Sequence, residues 1–284
     1  MSSKVSRGAA MKRNGLAVTI VLGAWLAAVV VTAAGVPQFG RAVFNGFDSS
    51  GPGIHNPPYD GRFTFARIKY EPLPGGYYFH GIPAWAHGYL TVDGGERSED
   101  NLMKITREIS MLDSSPERTM VVALDDPELS RYPLAYMAEP GWWTLNDREA
   151  SGLRSYLLKG GFIIFDDFRD DGVTFTGQWE NFERNIRKAL PGAQFFDLDA
   201  TNPVFHSFFE VNEATIPNAY DGGRPIIRGL FEDNDPSKRL MAVANYDSDV
   251  SQFWQFSATG FRPVSESNEA YKLGVNYVIY GMTH

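Results

Sequence analysis

Short apolar runs alternate with amphipathic stretches along residues 62–284, which predicts strands and helices in turn. Because the inner apolar runs are continuous, the strands that they form are expected to be covered on both faces. The sequence therefore predicts an α/β sandwich with a mostly parallel sheet. The predicted strands lie within RFTFARIKY (62–70), TMVVAL (119–124), FIIFDD (162–167), AQFFDLD (193–199), RPIIRGLFED (224–233) and RLMAVANYDSD (239–249).

Helix-end signals separate these strands. Ser98 is predicted to cap a helix whose apolar stripe begins at Leu102. Asn146 and Glu149 have the spacing of a capping box, and two glycines at 160–161 end the helix that follows them. Two further amphipathic helices are predicted, over NFERNIRKAL (181–190) and NEAYKLGVNYVIYGM (268–282).

The first 35 residues differ from the rest of the chain. Four basic residues precede an uninterrupted apolar run at 15–35, which is typical of a signal peptide or a transmembrane anchor. Residues 36–61 are rich in Gly, Pro, Ser and Asn and predict a flexible linker, and residues 62–284 predict a single domain. With the positive charges retained inside, the domain is expected outside the cytoplasm, in the periplasm or its equivalent.

Charge and cysteine content exclude several classes of function. Apart from the four N-terminal basic residues, residues 36–284 carry 22 basic and 34 acidic residues, so nucleic acid is not expected as a partner. The chain has no cysteine, which excludes a thiol nucleophile, a zinc-thiolate site and a disulfide. No P-loop, G-x-G-x-x-G or G-x-S-x-G motif is present, so no nucleotide cofactor or serine nucleophile is predicted.

Acidic residues follow three of the predicted strands. These strand-end pairs are Asp125 and Asp126, Asp166 and Asp167, and Asp247 and Asp249. Ligands in parallel sheets bind beyond the carboxyl ends of the strands, so the pairs predict a ligand-binding or catalytic crevice. We single out Asp166 and Asp167 as catalytic or binding candidates, with Asp126 and Asp247 as companions. The competing interpretation is that each pair only caps a turn.

A long Gly/Pro loop at 71–96 carries many aromatic residues, which are expected to bind a ligand or to fold back as a lid. Tyr78 and Trp85 are its candidate binding residues. His80 and His87 lie in the same loop but lack helical metal-ligand spacing, so no metal site is predicted on them. No cofactor is predicted. A divalent cation held by the carboxylates is the one possibility that the sequence leaves open.

Several motifs, taken in order, resemble a bacterial family of unknown function, family 4159. The resemblance is carried by RFTFARIKY, Trp85, RYPLAYM (131–137), LRSYLLKGGFIIFDD (153–167), NPVFHSFFEV (202–211) and the closing EAYKLGVNYVIYGMTH. It implies a flavodoxin-like, class I glutamine amidotransferase-like three-layer sandwich. It also suggests as partners membrane-anchored von Willebrand A-type proteins and MoxR-type ATPase systems. FIIFDDF looks like the turn at which amidotransferases keep a cysteine, and because the chain has no cysteine, thiol-dependent glutaminase activity is excluded.

Three functions remain open from the residues, one of them a calcium-stabilised structural module. A non-catalytic domain that binds an envelope ligand or protein is favoured, because no nucleophile, histidine cluster or cofactor motif is present. The alternative is an envelope hydrolase that uses the strand-end carboxylates or a bound metal.

Overall fold

The computed structural model describes residues 47–48, 51–52, 56, 58–77, 81–90, 97–114, 119–170, 177–220 and 224–284. The predicted signal or anchor segment at 1–35 and most of the predicted linker lie outside the described residues. Among the residues that are described, no helix has the length and apolar character that a membrane crossing requires.

Seven strands form one open sheet in the order β2-β1-β3-β4-β7-β6-β5. In this order, each pair of neighbours from β2 to β7 is parallel. The β7–β6 and β6–β5 pairs at the other edge are antiparallel. The predicted α/β fold with a mostly parallel sheet is confirmed, and the 2-1-3-4 start of the order is that of flavodoxin-like sheets. The strands are β1 (Ala66–Lys69), β2 (Met120–Ala123), β3 (Leu134–Ala138), β4 (Phe162–Phe168), β5 (Phe195–Asp197), β6 (Ile226–Phe231) and β7 (Leu240–Tyr246).

Helices cover both faces of the sheet and create two separate hydrophobic cores. Helices α2 and α3 contribute to one core, and α1, α4 and α5 contribute to the other. Successive strand residues point to opposite faces, so Ile163 and Phe165 of β4 enter the first core while Phe162 and Ile164 enter the second. The helices are α1 (Ser98–Ile109), α2 (Asp147–Leu158), α3 (Gln178–Ala189), α4 (Val250–Gln255) and α5 (Val264–Thr283).

The predicted capping box at the start of α2 is confirmed. The Asn146 side chain accepts hydrogen bonds from the backbone N–H groups of Arg148 and Glu149, and the Glu149 carboxylate accepts one from the Asn146 N–H. We expect Asn146→Ala to lower the free energy of unfolding by about 1 kcal/mol, because the backbone N–H groups of Arg148 and Glu149 lose their side-chain acceptor. Urea denaturation measures this change. Asn146→Asp should keep nearly all of the stability, and an equal loss in both variants would contradict the capping role.

The predicted Ser98 cap is wrong. Arg97 occupies the N-cap position of α1 without a side-chain cap, and Ser98 is the first helical residue. Its hydroxyl donates instead to the Glu99 carboxylate at 2.8 Å. The reason is tertiary, since Glu99 is fully buried beside Arg67 of β1 and needs polar partners there.

Candidate functional site

Loops that follow four neighbouring parallel strands converge on one cavity of about 520 Å³. These strands are β1, β3, β4 and β7, and the cavity lies where their carboxyl ends meet. Titratable and aromatic side chains from all four loops and from the β5–β6 connection line it, among them Tyr77, His87, Glu139, Trp142, Asp167, Tyr220 and Asp249.

The two aspartates at the end of β4 have different roles. Asp166 is fully buried and accepts hydrogen bonds from the Tyr136 hydroxyl at 2.8 Å and the Asn245 side-chain amide at 3.0 Å. It also accepts the backbone N–H groups of Val250 and Ser251, which open helix α4. Asp166 therefore attaches α4 to the sheet, and its carboxylate has no place in the cavity lining.

Asp167 points into the cavity because the backbone departs from regular strand geometry. Its φ of 65° is left-handed, and the register of β4 with β7 shifts between Phe165 and Phe168. A non-glycine residue in this region is uncommon, and such conformations cluster at functional sites. The carboxylate accepts a short hydrogen bond from the Tyr220 hydroxyl and lies 2.5 Å from His87 Nδ1.

His87 comes from the aromatic loop after β1, and a buried arginine holds that loop in place. The Arg67 guanidinium donates to the carbonyl oxygens of Trp85 at 2.8 Å and His87 at 2.5 Å. Its own charge is balanced by Glu99, with both side chains fully buried. The loop backbone is thereby fixed to strand β1.

Two further carboxyl groups complete the cluster. Glu139 follows β3 in a left-handed conformation, with φ 49°, and its Oε1 lies 2.9 Å from His87 Nδ1. Asp249 is the N-cap of α4, where it accepts the Gln252 N–H at 2.9 Å and the Ser251 hydroxyl at 2.8 Å. One ligand atom each from His87, Asp167 and Asp249 lies within 4.8 Å of the others, which is a grouping able to hold a metal ion.

Burial and mutual charge push the pKa values of these groups apart. Burial opposes the charge of His87, but the Asp167 carboxylate overrides it and raises the His87 pKa to about 9. Burial and the charge of Asp167 raise the pKa of Asp249 to about 8 and that of Glu139 well above its usual value. Burial opposes ionisation of Asp167 too, yet His87 keeps its pKa below the usual value. These shifts favour a His87–Asp167 ion pair beside protonated carboxyl groups on Glu139 and Asp249.

The other predicted site residues lie elsewhere. Asp126 caps the 3₁₀ turn Pro127–Arg131 by accepting the Glu128 N–H, and it lines a different cavity in the described part of the chain. Asp247 has a left-handed φ of 58° and is absent from the described lining of the site. The Trp85 ring is buried in the hydrophobic core, and its carbonyl oxygen accepts the Arg67 hydrogen bond that holds the loop carrying His87. Tyr78 lies outside the described residues, while its neighbour Tyr77 lines the cavity.

Sequence reasoning did not select His87, Glu139 or Tyr220 as site residues, and it placed Asp249 in a strand-end pair without naming it as a candidate. Two of them carried a usable signal, since Glu139 directly follows the buried strand β3 and Asp249 closes the acidic run after β7. His87 and Tyr220 had none, because their partner Asp167 is 80 and 53 residues away along the chain.

Comparison with known proteins gives a family and no activity. No curated protein matches the chain. The model of the family described as "Domain of unknown function (DUF4159)" matches residues 64–282, which include all seven strands of the sheet and helices α1 to α5 apart from the last residue of α5. The chain therefore belongs to the DUF4159 family.

Proposed function

We propose that this chain is an extracytoplasmic, membrane-tethered or secreted domain that binds a polyhydroxylated ligand of the cell envelope in the cavity above β1, β3, β4 and β7. The observation that carries the proposal is the convergence of four strand-end loops on one cavity that combines carboxyl groups with exposed aromatic rings. The basic and apolar N-terminal pattern supports export. Partners such as von Willebrand A-type proteins and MoxR-type ATPases remain a proposal that only the family resemblance supports.

The lining suits a sugar-like ligand. Tyr77 is 47% exposed, and Trp142 lines the same cavity with part of its surface exposed, so both can stack on the apolar face of a sugar ring. Asp167, Glu139 and Asp249 supply acceptors for hydroxyl groups. Apolar surface with a few converging polar groups is the usual composition of a small-molecule site.

Calorimetric titration of the full chain, purified in detergent, with N-acetylglucosamine oligomers and peptidoglycan fragments tests the proposal. We expect saturable binding that Tyr77→Ala weakens about tenfold, because one stacking ring contributes roughly 1 kcal/mol or more. Tyr59→Ala is the matched control, since Tyr59 is 39% exposed and lies outside the cavity lining. Absence of binding by every probe, or equal losses in both variants, would refute the proposed ligand class.

A hydrolase is the second candidate, and one observation favours it. Asp167 and Glu139 share a hydrogen bond, and their pKa values shift in opposite directions. An ionised carboxylate beside a protonated one is the arrangement that general base and general acid require. Release of new reducing ends from the same probes, abolished by Asp167→Asn, would establish turnover and overturn the non-catalytic reading.

The finer fold assignment belongs to this proposal too. We infer a class I glutamine amidotransferase-like sandwich from the strand order and from the left-handed Asp167 at the end of β4. In that group the corresponding turn carries a cysteine, and here it carries carboxylates, so amide hydrolysis through a thiol is excluded.

A further inference from the structure

Three side chains of the kinds that ligate metals meet in the lining of the proposed ligand cavity. His87, Asp167 and Asp249 each offer one atom within 4.8 Å of the other two. Ligands of a tetrahedral cation stand about 3 to 3.5 Å apart when each is about 2.1 Å from the metal. Small side-chain rotations therefore suffice to close the three atoms around one ion.

Glu139 provides a second and independent observation. Its side chain is buried, with 4% of the residue exposed, and Oε1 accepts no hydrogen bond from any described residue. Oε1 does lie 2.9 Å from His87 Nδ1, but that nitrogen carries at most one hydrogen, and Asp167 is closer at 2.5 Å. A buried carboxylate oxygen without a donor costs free energy, and a cation between these side chains would remove that cost.

The surrounding structure holds the ligands in position before any ion arrives. Helix α4 fixes Asp249 through its N-cap hydrogen bonds, and Tyr220 donates to Asp167. Arg67 fixes the carbonyl of His87. Outer partners of this kind orient the ligands of established metal sites.

We infer that His87, Asp167, Asp249 and Glu139 bind one divalent transition-metal cation, and that an open coordination position of this cation faces the cavity and receives an oxygen of the ligand. The donors decide the class of ion, since one imidazole with carboxylates suits Zn²⁺ or Mn²⁺, whereas Ca²⁺ takes six to eight oxygen ligands. When the metal binds, the Nδ1 proton of His87 and the carboxyl protons of Asp249 and Glu139 leave to solvent, and the freed lone pairs coordinate the ion. The inference rests on the proposed ligand cavity.

Titration of the full chain, stripped with chelator and then dialysed, tests the site with Mn²⁺ and Zn²⁺ as probes. Loss of the free Mn²⁺ signal in electron paramagnetic resonance should show one equivalent bound per chain, and Zn²⁺ should displace it. Asp249→Asn should weaken Mn²⁺ binding by about tenfold or more. Asp249 also caps α4, so Asp249→Asn could weaken binding by disturbing that helix. Glu139→Gln avoids this problem, because glutamine has nearly the size and shape of a protonated glutamate. A loss of Mn²⁺ affinity in Glu139→Gln therefore supports the site independently.

Asp247→Asn is the matched control. It also follows β7, and asparagine tolerates its left-handed φ of 58°. This variant should bind Mn²⁺ like the unaltered chain. No binding of either ion, or equal weakening in Asp247→Asn and Asp249→Asn, would overturn the inference.

Repeating the titration with N-acetylglucosamine oligomers, with and without chelator, separates this inference from the proposed function. Oligomer binding that persists in chelator, in a chain that takes up neither ion, refutes the metal site and leaves the ligand cavity standing. Cation binding without oligomer binding supports the metal site and refutes the sugar-like ligand. Oligomer binding that requires Mn²⁺ or Zn²⁺ supports both.

Discussion

Replacing Arg67 with methionine is expected to lower the free energy of unfolding by about 3–5 kcal/mol. Arg67 and Glu99 form a fully buried ion pair between β1 and the first turn of α1. Removing the guanidinium leaves the Glu99 carboxylate buried without its counter-charge, which is the expensive way to disrupt such a pair. Urea denaturation of the full chain in detergent, followed by near-ultraviolet circular dichroism, measures the loss.

The double variant Arg67→Met, Glu99→Gln is the control. It removes both charges, and replacing a whole buried pair by neutral groups is often close to neutral in stability. We therefore expect it to recover most of the stability that Arg67→Met loses. A double variant as unstable as the single one would show that packing of the Arg67 side chain, which lies 4.9 Å from the centre of the Tyr136 ring, matters more than charge.

Arg67 is also a positioning residue for the site. Its guanidinium donates to the carbonyls of Trp85 and His87, and methionine cannot. The double variant should therefore regain stability and still bind Mn²⁺ more weakly than the unaltered chain. Recovery of both properties would limit Arg67 to a structural role.

Glu139→Gln is expected to make the stability of the domain, measured in chelator, less sensitive to rising pH. Burial, followed by the charges of Asp167 and Asp249, raises the pKa of Glu139 well above 4.5 in the folded state. The folded chain then holds a proton that the unfolded chain releases, so folding stability falls as pH rises from the ordinary pKa of a glutamate toward the raised pKa of the folded state. Glutamine has no proton to release, and the part of the decline that belongs to Glu139 disappears.

The size of this effect follows from linkage. Each unit of pKa difference corresponds to about 1.4 kcal/mol, so the two curves should separate progressively as pH rises above the ordinary pKa of a glutamate. His87 and Asp249 also have raised pKa values, and they contribute declines of the same sign in both proteins. Asp167 has a lowered pKa, and its contribution is lost only at more acidic pH.

Chemical denaturation in chelator at several pH values measures the separation. Glu180→Gln is the matched control, because Glu180 is exposed on α3 and makes the same change of charge. Its curve should run parallel to that of the unaltered chain. Parallel curves for Glu139→Gln as well would mean that Glu139 is ionised in the folded domain.

Local features were predictable where local interactions decide them. The apolar run at β4 and the capping box at Asn146 depend on residues within a few positions of each other, and both were confirmed. Ser98 failed as a cap for the opposite reason, because its hydroxyl is used by Glu99, whose own partner Arg67 is 32 residues away.

The pattern of apolar and polar residues by itself determined the α/β class, the parallel strands and the edge of the sheet at which acidic residues gather, because periodicity and strand ends are properties of short segments. Only the tertiary structure decided which acids face one another. A bulge at the end of β4 turns Asp167 into the cavity and leaves Asp166 to hold α4. Asp249 faces the cluster because it is the N-cap of α4, a position that Asp247 does not have. His87 and Glu139 reach the same place because β1, β3 and β4 are neighbours in the sheet. Their meeting depends on contacts between residues far apart in the chain, which no local pattern records.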